Sequence, residues 1–299
     1  MRISLMNGNW EDIETNISKT LAFEVRIKDR TPISGGCINQ SWKITDAQNR
    51  SWFIKTNSKS QLDMFIAEAE GLNEIANSNS IRSPKTICYG ITNTNSYLVL
   101  EHIDLQPLSK PANAGRQLAE MHQYTNKRFG WVRDNTIGTT TQSNKKHKDW
   151  ISFWQKERLL FQLNLAKNNG YSSKAYDEGL KLSQSLPNFF SSYTPEASLL
   201  HGDLWGGNCA SNKKGETIIF DPAVYYGDRE ADIAMTELFG GFSADFYAAY
   251  NETNPLDQGY KTRKALYNLY HILNHFNLFG SGYQSQAVAM TQKLLSELN

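Results

Sequence analysis

The segment LLHGDLWGGNCASNKKGETIIFDP, residues 199–222, carries three polar side chains at a spacing that suits catalysis. Asp203 follows a His-Gly pair, Asn208 comes five residues later, and Asp221 ends the apolar run TIIF. A hairpin turn through the Lys-Lys-Gly sequence would bring the three together. Phosphoryl transfer needs a carboxylate that accepts the proton of an attacking hydroxyl, and oxygen ligands that hold Mg²⁺ against a triphosphate. We therefore predict Asp203 as the catalytic base and Asn208 and Asp221 as the metal ligands.

Turn chemistry is the alternative interpretation of Asp203 and Asn208, because Asp and Asn side chains often bond to nearby backbone in tight loops. We favour catalysis for two reasons. The pattern HxDxxxxN followed by FDP is typical of kinases, and the remaining parts of a phosphate-binding site lie upstream in the chain.

The segment SGGCIN, residues 34–39, lies between Ile33 and a strand-like run, where a hairpin turn over phosphates is expected. Gly35 and Gly36 would let backbone amides approach phosphate oxygens closely, although two glycines alone also suit a plain turn. Lys55 stands in the strand-like run SWFIKT. A solvated lysine is the simpler interpretation, but beside a glycine turn and a helical glutamate Lys55 has a phosphate to bind and a carboxylate to hold it.

Two glutamates in the next segment compete for the partnership with Lys55. The run LDMFIAEAEGLNEIA, residues 62–76, places apolar residues at helical spacing and contains Glu68 and Glu70. A helix turns about 100° per residue, which puts Glu68 roughly 80° and Glu70 roughly 120° from the centre of the apolar stripe. We predict Glu68 as the partner of Lys55 and Glu70 as a solvated flank.

The elements that must position these residues fall into two groups. The N-terminal third contains β-type runs bounded by turn formers. The runs are SWKIT (41–45), SWFIKT (51–56), KTICYGI (85–91) and SYLVLEHI (96–103). They predict one antiparallel sheet with a single helix. After the last run, the backbone groups of Glu101, His102 and Ile103 would pair with an adenine edge, the alternative being a simple edge strand.

The rest of the chain is mainly helical by the same criterion. Helical spacing recurs in NAGRQLAEMHQY (113–124), WISFWQKERLLFQLNLA (150–166), KAYDEGLKLSQSL (174–186) and the stretch 260–279. Only NCASN and TIIFDP resemble strands there, and they flank the Lys-Lys-Gly turn as a hairpin would. The pattern predicts a small sheet lobe followed by a larger helical lobe.

The composition is that of a globular enzyme of 299 residues, 39% hydrophobic and 20% charged. Lys and Arg total 31 against 30 for Asp and Glu. No net field would then attract nucleic acid or a membrane surface, and a small ligand is the better prediction. The basic run at residues 145–148 is short, and we interpret it as a solvated loop in preference to a nucleic-acid site or a contact for an anionic acceptor.

The three cysteines, Cys37, Cys88 and Cys209, are far apart and form no CxxC pair. We expect reduced thiols, a cytoplasmic location and no structural zinc. Cys37 lies in the glycine turn, where a redox switch is the alternative to simple small-residue packing. The N-terminus lacks the apolar core of a signal peptide, and no apolar run approaches about 18 residues, so neither export nor a membrane span is expected.

Taken together, the motifs resemble one known family. HGDLWGGN (201–208), FDPAVYYGDREADIAM (220–235) and FIK (53–55) are similar to sequences of the fructosamine kinase (ketosamine-3-kinase) family. WQKERLLFQLNLA (154–166) and LNHFNLFG (273–280) agree with helices of that family, so the resemblance covers nearly the whole chain. The family is a branch of the aminoglycoside phosphotransferase and protein kinase-like fold.

The resemblance implies ATP-dependent phosphorylation of the 3-hydroxyl of a ketosamine, the sugar adduct left on an amine after glycation and rearrangement. The resulting 3-phosphate is unstable and frees the amine, so the implied role is protein deglycation or metabolite repair. The implied partner is a small ketosamine or a glycated protein, and the cofactors are ATP and Mg²⁺. The oligomeric state is not implied.

The resemblance also assigns the site. It makes Asp203 the base, gives Asn208 and Asp221 to Mg²⁺, places Lys55 on the α and β phosphates and makes Glu68 the residue that fixes Lys55. These assignments agree with those made from spacing alone.

Neighbouring residues of the same motifs have supporting roles by the resemblance. Trp205 is a candidate sugar platform, the alternative being that it packs the catalytic loop onto a helix. Asp232 is expected to anchor the backbone of the HGD turn and Asp228 to begin the following helix. His201 is expected to position the loop.

We predict an α+β, bilobal protein kinase-like fold. Residues 1–103 form the nucleotide-binding lobe with its hinge, and residues 104–299 form the mainly helical catalytic and substrate lobe. One alternative function is phosphotransfer to another small alcohol, such as an aminoglycoside or a choline-like substrate, against which Trp205 and GDREADIAM argue. The other is a nucleotide-binding pseudokinase that acts as an interaction module, against which the complete set of catalytic groups argues.

Overall fold

A computed structural model describes residues 2–34 and 38–298, so the predicted glycine turn with Gly35, Gly36 and Cys37 lies outside the described residues. Within these ranges one sheet contains β1 (Ile27–Ile33), β2 (Gln40–Asp46), β3 (Ser51–Ser58), β4 (Thr86–Ile91) and β5 (Asn95–Glu101). All neighbouring strands are antiparallel, in the order β1-β2-β3-β5-β4. The four predicted β-type runs are β2 to β5, and the predicted antiparallel sheet is confirmed.

The predicted helix, α2 (Leu62–Asn77), covers one face of this sheet. Its side chains Phe65 and Leu72 are buried in one cluster with Leu98 of β5. Residues directly opposite each other in an antiparallel pair point to the same face, and the register pairs Leu98 with Lys55 of β3. Lys55 therefore faces α2.

A second helix, α1 (Arg2–Leu21), covers the opposite face of the sheet and was not predicted. Its residues Ile13 and Ile17 are buried in a cluster with Ile54 and Val99 of the sheet. The described part of this lobe thus contains two helices, and the prediction of one was wrong. Trp10, Ile13, Ile17 and Leu21 recur at helical spacing, so the sequence did carry a signal for this helix.

Helices dominate the remainder of the described chain. They are α3 (Pro111–His122), α4 (Trp150–Phe153), α5 (Leu160–Asn168), α6 (Ser173–Gln184), α7 (Glu230–Leu238), α8 (Ala244–Thr253), α9 (Tyr260–Phe279) and α10 (Gln284–Ser296). A π-helical segment, Trp154–Leu159, joins α4 to α5. The bounds of α9 match the predicted stretch, and α7 is the helix expected to follow Asp228, whereas α8 and α10 were not predicted.

Short strands lie between these helices. They are β6 (Thr125–Asn126), β7 (Asn135–Ile137), β8 (Thr140–Gln142), β9 (Ala197–Leu200), β10 (Cys209–Ser211), β11 (Thr217–Ile219) and β12 (Tyr225–Gly227). The predicted hairpin is β10–β11. The prediction that only this pair of strands occurs in the helical part was wrong, because strands of two to four residues are too short to show an alternating pattern.

The two described cysteines, Cys88 and Cys209, are buried free thiols. Burial raises the pKa of each to about 12, which makes them poor nucleophiles. Across residues 2–34 and 38–298, no helix combines the length and the apolar character required to cross a bilayer.

Candidate active site

Lys55 forms a contact that joins the sheet to the helical part. Its ammonium donates a hydrogen bond to Glu68 Oε1 at 2.6 Å and another to Asp221 Oδ1 at 2.7 Å. Lys55 is 5% exposed. Burial alone lowers the pKa of its ammonium, but the charges of Asp221 and Glu68 outweigh burial and raise that pKa above its ordinary value. Lys55 is therefore a permanent buried cation.

The competing glutamate, Glu70, does not contact Lys55. It forms a two-point ion pair with Arg133, with Nε–Oε2 and Nη2–Oε1 distances of 2.6 and 3.0 Å. The expectation that Glu70 is merely solvated was wrong, because the residue that pairs with it lies 63 positions later in the chain.

The HGD turn, residues 201–203, follows β9, and a side chain of α7 binds its backbone. Asp232, in the first turn of α7, accepts hydrogen bonds from the N–H groups of His201 and Gly202 at 2.6 and 2.8 Å. Gly202 has φ 82°, and a Cβ there would lie 2.1 Å from the Ala223 carbonyl oxygen, so this position requires glycine. The expected anchoring role of Asp232 is confirmed, and this anchor fixes the direction of Asp203.

Asp203 projects from this turn beside Asn208. The amide of Asn208 donates to the Asp203 carbonyl oxygen at 2.8 Å and approaches Asp203 Oδ2 at 3.4 Å. Burial raises the pKa of Asp203 to about 7, and the negative charges of Asp221 and Asp232 contribute in the same direction. A carboxyl with a pKa near neutrality is well suited to exchange a proton with a hydroxyl.

Asp221 follows β11 and is tied to the HGD turn on both sides. His201 Nε2 lies 3.0 Å from the Phe220 carbonyl oxygen, and the Ala223 N–H donates to the His201 carbonyl at 2.8 Å. His201 is thus a loop-positioning residue, as expected. Asp221 has φ 57°, a left-handed conformation that is uncommon outside glycine. Its carboxylate is half exposed, which leaves it open to a ligand.

Two cavities meet at these groups. The larger, of about 450 Å³, lies between the sheet and the helical part. Apolar side chains line it, namely Ile33, Phe53, Pro84, Leu100, Leu105 and Phe220. The smaller, of about 220 Å³, is lined on its outer side by Ile38, Asn39, Met64, Asn135, Thr136 and Gly138. Both cavities are bordered by Ser41, Lys55, Trp205, Asn208 and Asp221.

The predicted adenine-binding residues, Glu101, His102 and Ile103, line the larger cavity, but one of their backbone N–H groups already makes a hydrogen bond within the protein. The N–H of Glu101 donates to the Lys85 carbonyl at 2.8 Å, and its carboxylate pairs with Arg82 at 2.6 Å. Among the described residues, no backbone hydrogen bond is made by the N–H groups of His102 and Ile103. The N–H donors left open in this segment are therefore those of the residues after β5.

Trp205 lies where the two cavities join. The residue is 41% exposed, and its indole covers Gly207 of the same loop, where an added Cβ would lie 2.3 Å from the ring. The ring therefore presents a surface to both cavities.

Asp228 is fully buried below the site. It accepts hydrogen bonds from the Glu230 N–H at 3.0 Å and the Tyr193 hydroxyl at 2.9 Å, and from the Tyr267 hydroxyl. The first of these bonds lies at the start of α7, so the expectation that Asp228 begins this helix is confirmed.

A family model described as fructosamine kinase matches residues 9–297. The chain belongs to the fructosamine kinase family. The members of this family are kinases. The protein is therefore a phosphotransferase, and the groups around Lys55 belong to a kinase. The resemblance noted in the sequence motifs is confirmed.

Curated relatives of this fructosamine kinase family member are similar over most of their length. A protein of Vibrio parahaemolyticus named as a probable ketoamine kinase is 43% identical over 291 residues, covering 96% of this chain and 99% of that protein. A chloroplastic protein-ribulosamine 3-kinase of Arabidopsis thaliana is 44% identical over 271 residues, covering 89% of this chain and 82% of that protein.

Solved structures agree with this placement. A structure from Haemophilus somnus named as a fructosamine-3-kinase matches with TM-score 0.89 at 30% identity, covering 97% of this chain and 99% of that one. A choline kinase of Streptococcus pneumoniae matches with TM-score 0.62 at 14% identity, covering 96% and 98%. The second likeness concerns the fold alone, and together the two confirm the predicted protein kinase-like architecture.

Sequence reasoning missed the outer wall of the smaller cavity. Met64, Thr136 and Gly138 line that wall. Met64 precedes Glu68 by about one helical turn and so lies on the same face of α2. Once Glu68 had been assigned to the site, this spacing could have predicted Met64 beside it. The hairpin β7–β8 gave no such signal, because each strand is three residues long.

Proposed function

We propose that the protein phosphorylates the 3-hydroxyl of ketosamines with ATP. The observation that carries the proposal is the double contact of Lys55 with Glu68 and Asp221, at 2.6 and 2.7 Å, where the two cavities meet. The relatives named as ketoamine kinase and protein-ribulosamine 3-kinase supply the acceptor class. The product of this reaction loses its phosphorylated sugar and frees the amine, which is deglycation.

The larger cavity is the proposed nucleotide site. Its apolar walls suit adenine, and His102 and Ile103, which line it after the strand that carries Glu101, would offer their N–H groups to the base. Lys55 binds the α and β phosphates while Glu68 holds it in place. The turn with Gly35 and Gly36 is proposed to cover the same phosphates.

Asn208 and Asp221 are the proposed Mg²⁺ ligands. Amide and carboxylate oxygens are hard donors, and Mg²⁺ is commonly held by one or two carboxylates together with the substrate phosphates. Asn208 uses its amide nitrogen toward Asp203, which leaves its carbonyl oxygen for a ligand, and the Asp221 carboxylate is half exposed. The donor set therefore fits. A bound Mg²⁺ neutralises charge on the phosphates.

The smaller cavity is the proposed acceptor site. Asp203 borders it and would orient the 3-hydroxyl and accept its proton, a role that suits a carboxyl with a pKa of about 7. Trp205 offers an aromatic face for the sugar. The chain's own contribution is positioning, because phosphoryl transfer needs little covalent help from the protein.

The remaining parts of the proposal concern the whole chain. We keep residues 1–103 as the nucleotide-binding lobe and residues 104–299 as the substrate lobe. The cytoplasm stays the proposed location, since the thiols of Cys88 and Cys209 are unpaired. Free ketosamines and glycated proteins are both proposed acceptors.

The test is an ATP-consumption screen of ribulosyl, erythrulosyl and fructosyl amines beside aminoglycosides, with the position of the new phosphate determined by NMR. Ketosamines should be consumed and phosphorylated at the 3-hydroxyl. Asp203→Asn should abolish turnover and leave ATP affinity largely intact, whereas Asp177→Asn, on the exposed side of α6, should behave as wild type. Exclusive turnover of aminoglycosides, or retained turnover by Asp203→Asn, would contradict the proposal.

A further inference from the structure

α2 touches the helical part of the molecule at more than the Lys55 contact. Glu70 makes its two-point ion pair with Arg133 at 2.6 and 3.0 Å. One turn later, Glu74 accepts a hydrogen bond from the Tyr226 hydroxyl at 2.5 Å. Glu68 lies on another face of the same helix, within two turns of both contacts, so the position of Glu68 depends on residues outside the sheet.

Gly71 lies between these contacts. A Cβ at Gly71 would be 3.1 Å from Val224 Cγ2 and 3.6 Å from Pro222 Cγ. The absence of a side chain lets the backbone of α2 rest directly on the segment that follows Asp221. Movement of α2 away from the helical part would therefore open this contact and shift Glu68 relative to Asp221, with which it shares Lys55.

Arg133 lies two residues before the wall of the smaller cavity in the chain. It precedes β7, where Asn135 and Thr136 line the cavity. The amide of Asn144 donates to the Arg133 carbonyl at 3.1 Å and to Asn135 Oδ1 at 3.0 Å. Asn135 in turn donates to the Val224 carbonyl at 2.8 Å. The Glu70–Arg133 pair thus links α2 to the hairpin that would contact an acceptor.

We propose that the Glu70–Arg133 ion pair couples the acceptor cavity to the nucleotide site, with both residues acting as positioning residues. The inference rests on the proposed function, because it takes the smaller cavity as the acceptor site. An acceptor that fills this cavity steadies the β7–β8 hairpin, Arg133 then holds α2, and Glu68 keeps Lys55 in place for the phosphates. Coupling between sites is reciprocal, so the nucleotide favours acceptor binding by the same factor.

If the pair had a purely structural role, neutralising either partner would lower the folding stability. The two side chains are 34% and 37% exposed, and ion pairs this exposed add little to folding stability. Neutralising either partner should therefore leave the unfolding transition nearly unchanged. A change in the coupling between ligands is a readout that a structural role would not move.

The experiment measures the Kd of the ATP analogue AMP-PNP with Mg²⁺ by calorimetry, with and without a ribulosyl amine that lacks the 3-hydroxyl and cannot react. In wild type the acceptor analogue should tighten AMP-PNP binding about fivefold. Glu70→Gln and Arg133→Gln should each reduce this ratio to about one, and the double variant should lose no more than either single variant. Glu252→Gln, which removes the Arg116–Glu252 pair at 3.5 Å, is the matched control and should keep the wild-type ratio.

The outcomes separate the inference from the proposed function. Wild-type turnover of the parent ribulosyl amine is measured in parallel, and its absence would refute the proposed function itself. Three results would overturn the coupling alone, provided that wild type turns over the amine. The first is that the acceptor analogue does not change the Kd of AMP-PNP in wild type, and the second is that both single variants keep the wild-type Kd ratio. The third is that the reductions in this ratio multiply in the double variant. If a variant fails to fold, wild type in 1 M KCl serves instead, where the screening length falls to about 3 Å and the ratio should drop. A salt-independent ratio would count against the ion pair.

Discussion

Replacing Asp203 with Asn should make the folded protein more stable while removing its activity. The ionised carboxylate is partly buried and shares its surroundings with Asp221 and Asp232, and desolvation together with these two charges raises its pKa from 3.8 to about 7. The folded chain then binds this proton more tightly than the unfolded chain does. The free energy of unfolding of wild type therefore falls as the pH rises from about 4 to about 7. A neutral Asn at this position does not titrate, so the variant is spared this fall.

The magnitude follows from the two pKa values. Each tenfold change in proton affinity is worth about 1.4 kcal/mol, so a pKa of about 7 against 3.8 corresponds to about 4 kcal/mol once Asp203 is fully ionised. At pH 5 the same relation gives about 1.7 kcal/mol, and at pH 3 almost nothing. The gain from Asp203→Asn should thus grow with pH and level off above about pH 7.

The assay is urea unfolding of wild type and Asp203→Asn between pH 4 and pH 8, in EDTA and without nucleotide, so that no bound cation compensates the charge. Asp177→Asn, an exposed aspartate on α6, is the control and should show no pH-dependent gain. A gain of the same size at pH 4 and pH 8 would refute the reasoning. A less stable Asp203→Asn at pH 8 would refute it as well.

Four further outcomes are expected. Glu68→Gln should raise the KM for ATP about tenfold with little change in the ketosamine KM, because it removes one of the carboxylates that hold Lys55; equal effects on both KM values would argue otherwise. Asp232→Asn should lower kcat at least about tenfold in steady-state assays, since it weakens the acceptor of two backbone N–H groups in the HGD turn. Trp205→Phe should raise the ketosamine KM less than Trp205→Ala does, with the ATP KM unchanged, and identical values for the two would dismiss the sugar platform. In pH–rate profiles, kcat/KM should fall below about pH 7 as Asp203 takes up a proton, and a flat profile from pH 5 to 8 would remove it as the base.

The candidate site was predictable because its parts lie in short motifs. Asp203 and Asn208 precede one hairpin, β10–β11, and Asp221 follows it, so local spacing was enough to bring them together. Lys55 and Glu68 are 13 positions apart on adjacent elements, and the angular position on a helix selected Glu68.

The residues that were misjudged depend on distant partners. Glu70 has the sequence context of a solvated glutamate, and only the folded chain brings Arg133 to it. The amide of Glu101 is similarly occupied by Lys85, across a strand pairing that no periodicity reveals. The contacts that surround a site, unlike its reactive groups, are set by tertiary packing.

In the fold, the apolar stripe of α9 was enough to predict its bounds. α1 was missed although Trp10, Ile13, Ile17 and Leu21 recur at helical spacing, and Ile13 and Ile17 are buried against the sheet. The short strands around the HGD turn form because neighbouring segments offer backbone partners, which is a property of the assembled structure.

The backbone of Asp221 restricts which residues can replace it. Its left-handed φ of 57° precedes Pro222, and the residue before a proline ordinarily avoids helical conformations. Only glycine, asparagine and aspartate enter this region at low cost. Replacing Asp221 with alanine or glutamate would therefore strain the backbone in addition to removing or displacing the carboxylate. Asparagine keeps the backbone conformation and removes only the charge, so it is the substitution that separates the two effects.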